Sequence, residues 1–174
     1  YSALANINTP FNYLLDNALK WLRKNYSGFA LDKPSVGGME SDVHRKLKAF
    51  AIKHLIDSGV GPSAIKVEEK DESSMVPDII YNGIAIDAKT SISKMPSDEI
   101  YEVIEKYNKY QEIWVVMRPI AVLLDLDGVL DKIKYAKRKG INLKVMIPVK
   151  DKLITLSEFL TKGKDYYKDL VNNA

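Results

Sequence analysis

Two aspartates and a lysine in the segment VPDIIYNGIAIDAKTS have the residue types and the spacing that could hold a divalent cation. Asn82-Gly83 lies between two β-branched runs and predicts a hairpin with a two-residue loop, because a type I′ turn needs positive φ at both central residues. Counting outward from that loop pairs Asp78 with Asp87 and places Lys89 on the same face. Two opposed carboxylates repel each other, so the pattern predicts a bound cation. The alternative is that one aspartate caps a turn and the strands slip or bulge.

The composition restricts the ligands that a metal could have. The chain has no cysteine, and its only histidines are His44 and His54, which excludes thiolate and histidine-rich sites. Oxygen ligands favour Mg²⁺, for which Mn²⁺ would substitute. The net charge of +3 and the pI near 8.8 permit a polyanionic partner.

Hydrophobic periodicity predicts the order α-α-β-β-β-α-β-α-β-α. Helices are predicted at 10–26, 40–57, 97–110, 126–139 and 155–172, with Thr9-Pro10 and Ser97 as two of the helix starts. Strands are predicted at 65–69, 76–81, 84–90, 113–117 and 143–148. No apolar run is long enough to span a membrane and no signal peptide is visible, so we expect a cytoplasmic, intracellular protein.

Glu40 lies at the start of the second predicted helix, and two interpretations of it are open. In one, it continues the apolar stripe of Val43, Leu47 and Phe50 and is paired or bound to metal. In the other, Ser41 is the N-cap and Glu40 lies outside the helix in water.

These residues together resemble a known family. Pro77-Asp78, followed after eight residues by Asp87-Ala88-Lys89, resembles the PD-(D/E)xK motif of the restriction-endonuclease-like nucleases. Within that superfamily the nearest resemblance is to archaeal Holliday junction resolvases and related archaeal or viral nucleases. The further matching pieces are Gly37-Gly38, Glu40 and Asp78-Ile79-Ile80.

The resemblance implies an α/β fold with an αβββαβ core and a mixed central sheet flanked by helices. It places the catalytic core at 38–118 of a single nuclease domain, 1–174. Residues 1–35 would be an N-terminal helical extension and residues 119–174 a C-terminal α/β extension.

The resemblance also implies a role for each site residue. Asp78 and Asp87 would bind Mg²⁺ with the backbone carbonyl of Ala88, and Glu40 would complete the site directly or through water. Lys89 would orient or activate the attacking water. The implied protein is a metal-dependent DNA endonuclease, a homodimer by family habit, with branched or Holliday-junction DNA among its possible substrates.

Basic residues outside the motif are candidates for contacts with DNA. They are Lys46 on the second helix, Lys109 after the third, and Lys137 and Arg138 in the basic segment 132–144. The alternative for such residues is a solvated helix end. A second class of function is a nucleic-acid-binding module that keeps the nuclease-like fold but cuts poorly.

A competing motif lies in IAVLLDLDGVL, residues 120–130, which resembles the nucleophile motif of haloacid-dehalogenase-type phosphatases. There Asp125 would attack phosphate and Asp127 would act as acid and base. That motif needs a preceding apolar strand and a long following fold, and too few residues remain for the latter. A turn and an N-capped helix are the simpler interpretation.

Overall fold

The computed structural model describes residues 2–29, 31 and 41–172, and at its centre is a mixed six-stranded sheet with helices packed on both faces. The strands are β1 (Lys66–Val67), β2 (Ile79–Tyr81), β3 (Ile84–Lys89), β4 (Glu112–Met117), β5 (Leu143–Val149) and β6 (Lys152–Thr155). The helices are α1 (Ser2–Asn25), α2 (Asp42–Asp57), α3 (Pro96–Lys106), α4 (Pro119–Leu124), α5 (Leu126–Arg138) and α6 (Leu156–Asn172). The predicted α/β class and mixed sheet are confirmed.

The six strands lie in chain order across the sheet. The β1–β2 and β2–β3 pairs are antiparallel, β3–β4 and β4–β5 are parallel, and β6 returns antiparallel to β5. Parallel neighbours need crossover connections, which α3 supplies between β3 and β4, and α4 with α5 between β4 and β5. The C-terminal strands therefore extend the sheet that contains the hairpin.

The hairpin has the register that its turn predicts. Tyr81 pairs with Ile84 across Asn82-Gly83, whose φ angles are +47° and +77°. Both central residues thus have the positive φ that a type I′ turn requires. β2 begins at Ile79, one residue after the first aspartate of the motif.

Each face of the sheet has its own buried cluster. On one face α1 and α2 cover the hairpin through Leu15, Leu22, Leu47, Ile52 and Ile86. On the other face α3 and α5 cover the parallel strands through Ile100, Ile104, Val129, Val145 and Val115. The hairpin is therefore held between α2 on one side and α3 on the other, so residues of both helices can approach it.

The helix starts differ from the predicted ones in two places. α1 begins at Ser2, so the predicted start at Thr9-Pro10 is wrong; proline removes one helical hydrogen bond but does not prevent the flanking turns. Ser97 is not the N-cap of α3, because Met95 has that position and Pro96 begins the helix. Proline is favoured there because its missing N–H would have no partner within the helix.

Two elements are absent from the predicted order. α4 forms where an apolar run followed β4, and β6 forms a hairpin with β5 through Lys150-Asp151, where Lys150 has φ of +47°. β1 is also shorter than predicted, with two residues in place of 65–69. Among the described helices, none has the length and apolar character needed to cross a membrane.

Candidate active site

The two aspartates of the hairpin meet as the turn geometry predicts. Pro77 has no N–H, so the regular ladder of β2 cannot continue through it. Instead the backbone N–H of Asp78 donates to Asp87 Oδ1 at 2.9 Å, and the N–H of Ala88 donates to Asp78 Oδ2 at 2.8 Å. Each carboxylate is thus fixed by the backbone of the opposite strand.

α2 contributes a histidine, His44, that was not predicted as a site residue. Ser41 is the N-cap of α2 and accepts the N–H of His44 at 3.1 Å, which confirms the interpretation in which the helix begins after Ser41. The His44 Nε2 atom lies 2.9 Å from Asp78 Oδ2. The two residues are 34 positions apart, so only the packing of α2 on the hairpin brings them together.

A buried ion pair lies beneath this contact. The side chain of Lys48, one helical turn after His44, is fully buried, and its Nζ lies 2.7 Å from Glu68 Oε1. Glu68 follows β1 with a positive φ of +51°, and its N–H donates to the carbonyl of Asp78 at 3.0 Å. The start of β2 is therefore connected to both β1 and α2.

The environment of Asp87 opposes its ionisation. Burial and the negative charge of Asp78 together raise the pKa of Asp87 to about 7, against the opposing charges of Lys89 and Lys106. Lys89 Nζ lies 3.6 Å from Asp87 Oδ2 and remains partly exposed. The site thus combines a buried carboxyl group that resists ionisation with a partly exposed ammonium group.

The pKa of Asp78 shifts in the opposite direction. Burial by itself raises this pKa, but the hydrogen bond and charge of His44, the amide of Ala88 and the charge of Lys48 together outweigh burial. They hold the pKa of Asp78 below its ordinary value. As pH rises, Asp78 therefore ionises before Asp87.

The donor atoms fit a hard divalent cation. Asp78 Oδ1 and Asp87 Oδ2 accept no hydrogen bond from the described residues, and Ala88, whose carbonyl is the third predicted oxygen ligand, directly follows Asp87. Oxygen atoms of this kind suit Mg²⁺ or Mn²⁺. Within the described residues, three or more His, Cys, Asp or Glu side chains do not gather in a metal-binding arrangement. Glu40, the third predicted ligand, lies outside the described residues.

The four predicted DNA contacts lie in different places. Lys46 pairs with Asp16 and Asp42 at 2.6 Å each, between α1 and α2. Lys109 is exposed just after α3. Lys137 and Arg138 are exposed at the end of α5, near the N-terminal ends of the parallel strands β4 and β5. Lys89 is the last residue of β3 and lies at the C-terminal ends of these strands.

A small cleft of about 230 Å³ lies at the C-terminal end of α3. The residues that line it are Asp71, Ser73, Met75, Glu105, Lys106, Tyr107, Asn108, Lys109 and Tyr110. The hydroxyl of Tyr107 donates to the carbonyl of Val76 at 3.3 Å. Burial and then the charges of Asp87 and Asp78 raise the pKa of Tyr107, so its hydroxyl stays protonated. Lys109 thus lines the same cleft as Tyr107, whose hydroxyl contacts the segment just before Asp78.

The aspartates of the competing motif have a different environment. The apolar run before Asp125 forms the helix α4 and not the strand that a phosphatase motif needs. Asp125 Oδ2 accepts the N–H of Ser97 at 2.9 Å, which caps α3 from a neighbouring helix. A Cβ on Gly128 would lie 2.5 Å from Asp125 Oδ1, so glycine leaves the space for this contact. The D-x-D-G pattern here has a structural explanation.

Comparison of the chain with models of protein families, with curated proteins and with solved structures finds no match.

Proposed function

We propose that this protein is a metal-dependent nuclease that hydrolyses DNA phosphodiester bonds, on a core of the restriction-endonuclease-like type. The observation that carries the proposal is the meeting of Asp78 and Asp87 with Lys89 at the end of β3. The succession α2, β1, β2, β3, α3, β4 supports the same assignment, since it has the order of the αβββαβ core.

A carboxylate pair of this kind is costly without a cation. Asp87 is 5% exposed and lies against a second carboxylate. Structural stability alone would favour an asparagine at either position, because its side chain keeps the acceptor and loses the repulsion. The retention of both charges therefore supports the binding of a divalent cation.

Each residue then has a definite task. Asp78 and Asp87, with the carbonyl of Ala88, would hold Mg²⁺ or Mn²⁺, which lowers the pKa of a bound water and polarises the scissile phosphate. Lys89 would orient the attacking water and stabilise the negative charge that grows on the phosphate. His44 would fix Asp78 through the contact at Oδ2, which leaves Oδ1 without a hydrogen bond from any described residue.

The test is cleavage of labelled four-way junction, flap, single-stranded and linear duplex DNA in Mg²⁺, Mn²⁺ or EDTA. We expect metal-dependent cleavage that Asp78→Ala abolishes. The matched control is Asp57→Ala, which removes an exposed aspartate at the end of α2 and should leave cleavage unchanged. Cleavage by Asp78→Ala at the wild-type rate would exclude this site.

One observation favours the alternative of a nucleic-acid-binding module that cuts poorly. Among the described residues, the site has two carboxylates and no third side-chain ligand. A metal that is held weakly for this reason would support little turnover. DNA binding that is equal in EDTA and Mg²⁺, with no cleavage of any of the four substrates, would support this alternative over the nuclease.

A further inference from the structure

Arg118 lies directly beside the candidate active site. Met117, the last residue of β4, is in register with Lys89, the last residue of β3. Arg118 follows Met117, and its Nη2 donates to the carbonyl of Thr90 at 2.8 Å. The guanidinium group therefore lies next to the residue that follows the candidate catalytic lysine.

The guanidinium group is poorly satisfied in this position. Its Nε is buried and has no hydrogen-bond partner, and no carboxylate among the described residues lies within ion-pair distance. Burial lowers the pKa of Arg118, and the negative charge of Glu99 only partly opposes this effect. A half-buried cation of this kind is costly unless an anion joins it.

Glu99 has a different partner. Its buried carboxylate accepts the hydroxyl of Ser91 at 2.8 Å. Ser91 has φ of +55°, in the left-handed region that a serine seldom adopts. The carboxylate thus fixes the loop after Lys89, and the guanidinium group has no ion pair within the part of the chain that the structure describes.

We propose that Arg118 binds a backbone phosphate of the nucleic acid, adjacent to the phosphate that Lys89 serves. This inference rests on the proposed function and deepens it by adding a second phosphate contact at the ends of β3 and β4. Arginine suits the task because its planar fork of donors matches phosphate oxygens and stays charged when partly buried. The Thr90 carbonyl holds the fork at the rim of the site until phosphate replaces or joins that contact.

The test measures affinity for a short fluorescein-labelled duplex in EDTA, so that binding is observed without cleavage. Salt is varied between about 50 and 200 mM, because each lost phosphate contact makes the negative slope of log K against log salt shallower by about one. We expect Arg118→Gln to make that slope shallower by about one and to weaken binding by about 3- to 10-fold. Arg118→Lys keeps the charge and should keep most of the slope.

The matched control is Lys164→Gln on α6, whose main contacts are with β5, β6 and α1. It removes one exposed positive charge and should leave the slope unchanged. A purely structural role would change the melting temperature of Arg118→Gln but not the salt slope. An unchanged slope in Arg118→Gln, or an equal decrease in Lys164→Gln, would overturn the proposal.

The outcomes separate this proposal from the proposed function. If the wild-type protein cleaves DNA and Arg118→Gln does not change the salt slope, the proposed nuclease function stands and the phosphate contact of Arg118 is rejected. If Arg118→Gln changes the salt slope but the wild-type protein cleaves no DNA, the phosphate contact of Arg118 stands and the nuclease function is rejected. A wild-type protein that binds no DNA would overturn both.

Discussion

Two pairs of aspartates in this chain look alike in sequence and differ in the fold. Asp78 and Asp87 are nine residues apart, yet the backbone of one donates to the carboxylate of the other. Asp125 and Asp127 are two residues apart and separate: Asp125 caps α3, while Asp127 is exposed in the first turn of α5. Closeness in sequence is thus a poor guide to which carboxylates act together.

In both places an aspartate accepts a hydrogen bond from a backbone amide that has no partner in regular secondary structure. Pro77 interrupts the ladder of the hairpin, and the amide of Ala88 on the facing strand donates to Asp78. The first amides of a helix also have no partner within the helix, and the amide of Ser97 donates to Asp125. In the hairpin the two carboxylates converge, and each has one oxygen that accepts no hydrogen bond from the described residues. At α3 a single carboxylate is used for capping.

The largest expected difference between the pairs is in DNA cleavage. Asp87→Asn keeps the acceptor for the amide of Asp78 but removes the charge that would hold the cation, so we expect a loss on the order of 10³-fold or more. Asp125→Asn keeps its acceptor for Ser97 and should stay within about 3-fold of the wild-type rate. The measurement is the initial rate on the best DNA substrate in Mg²⁺. Equal losses in the two variants would remove the distinction between the pairs.

The next largest difference is in the pH dependence of stability without metal. The pKa of Asp87 is raised from 3.8 to about 7, so the native state holds a proton that the unfolded chain releases. Wild-type stability should therefore fall as pH rises from about 4 to about 7, and Asp87→Asn should remove that decrease. We expect the variant to be more stable by about 2–4 kcal/mol at pH 8 and equal to wild type near pH 4.

Urea unfolding in EDTA across this pH range measures the effect. Asp125→Asn is the control, and it should follow the wild-type slope of stability against pH. Added Mg²⁺ should stabilise the wild type more than Asp87→Asn, because only the wild type has both carboxylates. A variant that loses stability at pH 8 would contradict the repulsion between Asp78 and Asp87.

Local patterns predicted the hairpin and its paired aspartates, because Asn82-Gly83 fixes both the turn and the register within a few residues. Packing decided the features that the sequence did not reveal. His44 and Arg118 reach the site across 34 and 28 residues, and no spacing rule connects them to Asp78 or Thr90. β6 was hidden because its four residues run directly into α6 with no glycine or proline between them.

A smaller effect concerns the glycine of the competing motif. Gly128→Ala would normally favour a helix by up to about 1 kcal/mol. Here the new Cβ would meet Asp125 Oδ1 at 2.5 Å and Ser97 Oγ at 2.8 Å, so the cap must move. We expect a net loss of about 1–2 kcal/mol in the free energy of unfolding.

The same substitution in an Asp125→Ala background provides the control. Asp125→Ala alone should cost about 1 kcal/mol through the lost cap. Once that carboxylate is absent, Gly128→Ala should be neutral or stabilising, so the two substitutions should be coupled by about 1–2 kcal/mol. Additive losses would mean that Gly128 has another function than making space for Asp125.

The smallest effect is expected at Asp127, where the two interpretations of the motif differ most. A negative charge in the first turn of α5 is favoured by the helix dipole, so Asp127→Asn should cost only about 0.3–0.5 kcal/mol. A phosphatase would instead need Asp127 as its acid and base, and the variant would lose hydrolysis of p-nitrophenyl phosphate. We expect no such hydrolysis in the wild type, because Asp125 is engaged with Ser97 and the preceding segment is helical. Hydrolysis that is lost in Asp127→Asn but retained in Asp87→Asn would transfer the chemistry from the hairpin to α5.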